Sequence, residues 1–405
     1  MSKPSMDTQF LSHRYDRVLL AIVFGLIGFG LVMVYSASVV SAEHQFGDGA
    51  YYLKRQLVFL GLGLCGMVGF LLIPHQILER YASVCLLIAV LLLVLVLIPG
   101  LSSSAKGASR WLNLGVVRLQ PSEFVKFGFL LFMAQYLSRR QLDLDKLKVA
   151  WGVPTLVLAV IAALLMKQPD FGSTVLCGAM MFLMIFAAGG ALRHIMVFSC
   201  IGLGLIVLAV TTQAYRMKRV LTFLNPDSDP LGAGYQINQA LISFGSGEWF
   251  GVGLGESRQK LMYLPDAHTD FIFSIVGEEL GLLGATCLLV GFIALIWRGI
   301  RIARNASTAF GALLAFGVTG LIALQACINM AVVMALLPTK GLTLPFISYG
   351  GSSVIVLCTS VGVLLNVSRQ TPPPGWLHAE RPLLSKLDQL ESWLQIRLGT
   401  KSLAP

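Results

Sequence analysis

The sequence predicts an all-α polytopic membrane protein of ten transmembrane helices, with one long outer loop between the seventh and the eighth. Three observations carry the prediction. Of 405 residues, 56% are hydrophobic and only 12% are charged, about half the roughly 25% charge of a soluble domain. Apolar runs of about 18 residues or more, long enough to cross a bilayer, recur along most of the chain. Those runs are continuous rather than alternating, so of the two forms that satisfy their own backbone in lipid they are helices and not barrel strands of about 10 residues.

Taken in order, the spans are 18–40, 56–73, 81–99, 120–137, 150–166, 173–188, 194–212, 271–297, 307–335 and 347–367. The sixth rests on the least, because only short breaks, Lys167 to Gly172 and Gly189 to Arg193, set it apart. The chain divides into a polar segment 1–17, a membrane domain 18–367 with its outer loop 213–270, and a tail 368–405. With the N-terminus inside, the inner segments hold 17 of the 30 Lys and Arg, so basic loops place both termini in the cytoplasm. The first run is too long for a cleaved signal and reads as a retained anchor.

The net charge of +10 does not point to nucleic acid, since no basic groove is interleaved with aromatics. Cytoplasmic bias and an anionic lipid or lipid-linked substrate account for it. Cys65, Cys85, Cys177, Cys200, Cys287, Cys327 and Cys358 each fall in an apolar run and read as small buried hydrophobes, without disulfides or a zinc site. Walker, dinucleotide-binding, HExxH and serine–histidine patterns are absent from the sequence.

The outer side is unusually basic. Lys54, Arg55, Lys106, Arg110, Arg118, Lys167 and Lys340 lie near outer ends of spans. Snorkelling explains any one of them; for the group, a phosphate handled at that face is the preferred reading. Loop 213–270 holds two amphipathic runs, 217–224 and 235–244, suited to the membrane surface. A loop of that length reads as a lid or platform. In the tail, Pro372, Pro373 and Pro374 precede an amphipathic stretch, 382–398, read as a surface helix or docking element.

Ionisable residues at membrane depth are costly and are site candidates. Glu123 and Lys126 share a helix face; they pair with each other, or Lys126 faces an outward-opening cavity. Asp170 caps the helix that begins near Ser173 or holds a basic cavity residue. Gln325 and Asn329 satisfy polar groups within the bundle. The stretch 337–351, with Pro338, Gly341, Pro345, Gly350 and Gly351, is a broken helix entry of the kind tolerated only beside protein or a cavity. It places Lys340 to meet an anion. The run 280–297 covers about 27 Å, which puts Glu278 and Glu279 near the outer boundary without an assigned role. Asp270 stands about 12 Å further out, as a catalytic carboxylate beside a cleft or as a helix-start cap. His268 and Thr269 orient it or act as caps themselves.

Seven stretches, GASRWLNLG (107–115), LQPSEFVK (119–126), KQPDFGS (167–173), GYQINQALIS (234–243), GVGLGES (251–257), LPDAHTDFIFSIVGEELG (264–281) and LLPTKGLTLPFISYGGSS (336–353), carry a resemblance. Over about residues 15–368 the chain resembles the SEDS family (shape, elongation, division and sporulation), its division branch above all. The resemblance implies ten membrane helices and an inverting glycosyltransferase that polymerises lipid II on the outer face of the cytoplasmic membrane, at the division septum. It matches the family's essential acid to Asp270. It implies substrate-binding roles for Arg110, Glu123, Lys126, Lys167, Gln168, Asp170, His268, Lys340 and Ser352, with Pro169 beside them. It also implies a class B penicillin-binding transpeptidase and a small bitopic activating complex as partners, membrane lipids aside. No metal ligand is assigned, and a divalent cation, Mg or Mn, is an optional aid. Two other classes, a lipid II flippase and a non-catalytic division scaffold, compete with the enzyme. A flippase needs polar residues along both halves of its path, whereas polar groups here cluster on the outer side.

Overall fold

The computed structural model describes residues 15–98, 102–105, 108–113, 118–226, 232–261, 264–265, 267–339 and 341–369. Lys106, Lys340, the N-terminal segment 1–14 and the tail stretch 382–398 lie outside the described residues.

Each expected span is a helix. In chain order these are α1 (Arg17–Phe46), α2 (Tyr51–Leu72), α3 (His75–Val96), α4 (Pro121–Ser138), α5 (Val153–Lys167), α6 (Phe171–Ala187), α7 (Leu192–Thr211), α10 (Ile272–Asn305), α11 (Ala309–Val333) and α12 (Gly351–Ser368), while α8 (Ala214–Leu224) and α9 (Ala233–Gly247) lie in the long loop. Among the described residues eight segments are long and apolar enough to cross a membrane: α1, α2, α3, α7, α10, α11, α12, and α5 extended by its preceding turn to Lys148–Lys167. The other two are α4, which carries Glu123 and Lys126, and α6, of 17 residues. The amphipathic runs expected at 217–224 and 235–244 are α8 and α9.

Burial is uneven across the bundle. α12 is 89% buried and the most apolar stretch of α11 61%, whereas α7 has no buried residue. α12 sits against α2 at small residues: Gly63 faces Cys358, Gly66 faces Thr359, and Gly362 meets the Met67 backbone. Small residues let helices approach closely where lipid offers no hydrophobic drive to pack. The cysteines are all free, but four of them, Cys65, Cys200, Cys287 and Cys327, are exposed on the bundle rather than buried. An outward-facing position on a membrane helix is apolar too, so hydropathy alone does not separate core from periphery.

Side-chain contacts sort the two ends. At one end, Asp16 joins Arg298 Nε at 3.1 Å and donates its amide to Ser368 at 3.1 Å, and Arg139 meets Glu79 at 3.2 Å. The other end gathers the long loop, the start of α10, the segment before α12 and a small antiparallel sheet. That sheet, β1 (Ser102–Ala105), β2 (Ala108–Asn113) and β3 (Arg118–Leu119), is ordered β1-β2-β3 with Leu112 opposite Leu119. Among the described residues it is the one sheet in an otherwise helical chain, and its strands are too short to show a period in sequence.

α10 is interrupted at Gly281, whose φ of 65° and ψ of −164° belong to a region essentially reserved for glycine. The amides of Leu282 and Leu283, which an unbroken helix would give to residues 278 and 279, go instead to the Glu248 and Trp249 carbonyls at 2.9 and 3.2 Å. The Glu278 and Glu279 carbonyls accept from Val252 and Gly253 at 3.0 and 3.1 Å. Loop 248–253 is thus inserted into the ladder of α10, and these four backbone groups freed by the break are satisfied, as burial at this depth demands. Glycine at 251 and 281 permits the approach, since a Cβ on either would run into the other segment's backbone.

Candidate active site

Asp270 stands in the turn that leads into α10, half-buried, one residue before the Phe271 N-cap. Two contacts place it. Asn329 Nδ2, on α11, donates to the Asp270 carbonyl at 2.9 Å and to the Leu342 carbonyl at 2.6 Å. Gly341 lies against the carboxylate itself: a Cβ there would be 3.2 Å from Oδ2. Gln325, one turn earlier on α11, donates to the Thr343 carbonyl at 3.1 Å. Gln325 and Asn329 do satisfy polar groups within the bundle, those of the broken segment before α12 and the Asp270 carbonyl before α10.

The KQPDFGS break also packs on that segment. Leu342 is within 3.6 Å of where a Cβ on Gly172 would be, so residues 341 and 342 lie against both Asp270 and the start of α6. Asp170 caps α6, accepting from the Ser173 amide at 3.0 Å and its hydroxyl at 2.8 Å. Arg110, carried on β2, reaches across to the Gln168 carbonyl at 3.0 Å and the Pro169 carbonyl at 2.6 Å. Gln168 is buried and donates to Leu93 at the end of α3 at 3.0 Å. Lys167 is exposed.

Behind this wall, Lys126 and Glu123 pair at 2.6 Å, with side chains 1% and 8% exposed. Of the two readings open in sequence, the pair is the one found. Cys177 lies within electrostatic reach of the pair and of Asp170.

The remaining candidates ring the same end. The His268 ring packs on Tyr52 at 4.3 Å and near Tyr349 at 5.8 Å, and its carbonyl accepts the Tyr349 amide at 2.9 Å. Ser352 is buried and accepts the Gln120 amide at 2.9 Å, tying α12 to the entry of α4. Among the outer cations, Lys54 meets Asp48 at 2.8 Å, and that hydrogen bond holds the Asp48 carboxyl below its usual range. Arg55 donates to the Tyr51 hydroxyl at 2.9 Å, and Arg118 is exposed. Among the described residues no three His, Cys, Asp or Glu side chains converge to hold a metal ion.

Sequence reasoning missed three participants at this end. Arg219 of α8 donates to the Thr339 carbonyl at 2.8 Å, anchoring the long loop beside Gly341. Ser257 and Lys260 contact the two acids of α10, Glu278 and Glu279. The signal available was the adjacency of two acids at membrane depth, which marks a buried polar junction but does not name its partners.

Comparison with known proteins agrees with this architecture. The family model for FtsW, RodA and SpoVE, described as "Cell cycle protein", matches residues 17–372. A relative from Trichlorobacter lovleyi, named probable peptidoglycan glycosyltransferase FtsW, is 47% identical, covering 87% of this chain and 93% of its own. Stage V sporulation protein E of Bacillus subtilis is 43% identical over 87% of this chain and 97% of its own. Among solved structures, a chain from a study of how a peptidoglycan synthase complex coordinates polymerization and crosslinking superposes with a TM-score of 0.72 at 30% identity, over 89% of this chain and 98% of that one. Thermus thermophilus RodA superposes with a TM-score of 0.66 at 28% identity, over 89% and 97%. Helical membrane architecture, the matched motifs and this coverage agree: the chain belongs to the SEDS family of FtsW, RodA and SpoVE cell cycle proteins, nearest its FtsW branch.

Proposed function

We propose that the chain is a peptidoglycan glycosyltransferase of the bacterial cytoplasmic membrane that polymerises lipid II into glycan strands at the division septum. The observation that carries this reading is the convergence on residues 341 and 342 of the Asp270 carboxylate and the Arg110-braced KQPDFGS break. The names of the FtsW relatives support the same activity. In this reading loop 213–270 faces the periplasm, and segments 1–17 and 368–405 face the cytoplasm.

The growing strand is the donor, its anomeric carbon bonded to undecaprenyl pyrophosphate. The 4-hydroxyl oxygen of the acceptor sugar attacks that carbon from the opposite face. As the new C–O bond forms, the bond to pyrophosphate breaks and takes its electron pair with it, so the configuration inverts. Asp270 takes the hydroxyl proton as general base, a role that requires it within about 3 Å of that oxygen. Hydrolytic glycosidases need an acid as well; pyrophosphate is already a good leaving group, so one carboxylate suffices. Arg110, Lys167 and Lys340 are assigned to the phosphates, whose growing charge they stabilise. His268 and Gln168 line the sugar and pyrophosphate sides, while the Glu123–Lys126 pair, Asp170 and Ser352 hold the wall rigid. Apolar grooves between helices take the polyprenyl tails. The partners in this reading are a class B penicillin-binding transpeptidase and a small bitopic activating complex, and the likeness to a chain of a peptidoglycan synthase complex supports the first.

The test is purified protein in lipid vesicles, supplied with labelled lipid II, with and without the transpeptidase. Glycan strands support the enzyme; leaflet exchange without polymer means a flippase; neither product under both conditions means a scaffold.

A further inference from the structure

Two carboxylates have no part in the chemistry above. Glu278 and Glu279 are 2% and 0% exposed, and adjacent acids at that depth persist only where donors meet them. Each has its own set. Glu278 accepts the Ser257 hydroxyl on Oε2 and the Arg258 amide on Oε1 at 2.9 Å. Glu279 accepts the Ser36 hydroxyl of α1 at 2.7 Å and the Lys260 ammonium at 3.2 Å. Lys260 is itself 7% exposed and also donates to the Gly255 carbonyl.

The topology gives these contacts a consequence. Ser257 and Glu278 are 21 residues apart in the chain, and Asp270 lies between them. Their contact pins residues on either side of Asp270 in the chain to one another. Glu279 then ties α10 to α1 and, through Lys260, to the long loop. Loop 248–253 enters the α10 ladder directly below. Asp270 is therefore held from two directions: by Asn329 at its own carbonyl and by the contacts of Glu278 and Glu279 two turns further along α10.

We propose that Glu278 and Glu279 are positioning residues that latch Ser257 and Lys260 to α10 and so set the Asp270 carboxylate at its distance from Gly341. The latch rests on the reading of Asp270 as the base. Opening it leaves the chain folded and substrate bound, with the carboxylate misplaced, so its loss acts on turnover and spares binding. A misplacement of about 1 Å is enough to cost roughly a hundredfold in rate. The Lys260–Glu279 pair is also one whose single removal strands a buried charge while joint neutral replacement does not. That difference supplies a rescue.

The experiment measures kcat and KM for lipid II polymerisation by the full chain in vesicles, with thermal midpoints in parallel. The variants are Glu279→Gln, Lys260→Gln/Glu279→Gln, Ser257→Ala and, as a reference, Asp270→Ala. The latch predicts that Glu279→Gln loses at least about tenfold in kcat with KM within about twofold. The double variant recovers to within about threefold of wild type, a non-additivity expected of residues in contact. Ser257→Ala, which strands no charge and keeps the fold, loses several-fold in kcat alone. Wild-type kcat in both Glu279→Gln and Ser257→Ala overturns the latch, as does a loss that falls on KM. If Glu279→Gln fails to fold, Ser257→Ala and the double variant decide the matter on the same readouts. Activity in Asp270→Ala overturns the base reading instead, which keeps the two failures apart.

Discussion

Asn329 holds Asp270 by its backbone: one amide nitrogen on α11 bridges the Asp270 carbonyl at 2.9 Å and the Leu342 carbonyl at 2.6 Å. The start of α10 and the broken segment before α12 are thereby joined through a third helix. The carboxylate stands where two interruptions of regular helix meet, and regular helix could not put it there.

Replacing Asn329 with Asp removes that donor. Each stranded carbonyl costs about 1–3 kcal/mol, so the thermal midpoint falls. The polymerisation rate is expected to drop by at least tenfold in vesicles, and a variant with the wild-type rate would mean that the bridge does not place Asp270.

Gly341→Ala puts a methyl group 3.2 Å from Asp270 Oδ2, tight enough to move the carboxylate. The expected outcome is a folded protein with turnover reduced roughly tenfold by the misplacement. Serine or valine at 341 would reduce it further, and a steady-state series of the three variants checks the trend.

The Glu123–Lys126 pair predicts a sign reversal. Lys126→Met leaves Glu123 buried without its cation, which costs about 3–5 kcal/mol, whereas Glu123→Gln/Lys126→Met regains most of that stability. Thermal unfolding in detergent reads both. Equal losses in the single and double variants would mean that the pair is not the structural unit described.

Much of the architecture was readable from the chain, and the reasons are physical. Hydropathy reports length against bilayer thickness, so each expected range falls on one helix, α6 included, although helix ends differ from it, most at α10, which runs on to Asn305 where the expected range stops at 297. The KQPDFGS break and the proline- and glycine-rich run 337–351 announced irregular backbone in the same way. What the sequence did not carry is who meets whom. Arg110 grips the carbonyls of Gln168 and Pro169, Ser257 meets Glu278, and residues 248–253 enter the α10 ladder; all are contacts between distant segments. The strands around Arg110 are two to six residues long, too short for alternation to be read. Glu278 and Glu279 were visible as acids at a boundary, but their donors lie in a loop whose path depends on Gly251 and Gly281.

That dependence is itself testable. Gly281→Ala places a side chain in a glycine-only conformation, at about 1–3 kcal/mol, and drives its Cβ into the Gly251 amide and the Trp249 carbonyl carbon. The variant is expected to unfold well below wild type in a detergent melt. A midpoint within a degree or two of wild type would contradict the inserted-loop geometry.

The most direct test of the central claim is the turnover of purified Asp270→Ala on lipid II in vesicles, with folding and lipid II binding measured on the same sample. The account predicts normal folding, normal binding and no glycan strands above background. Strands formed at the wild-type rate would contradict it.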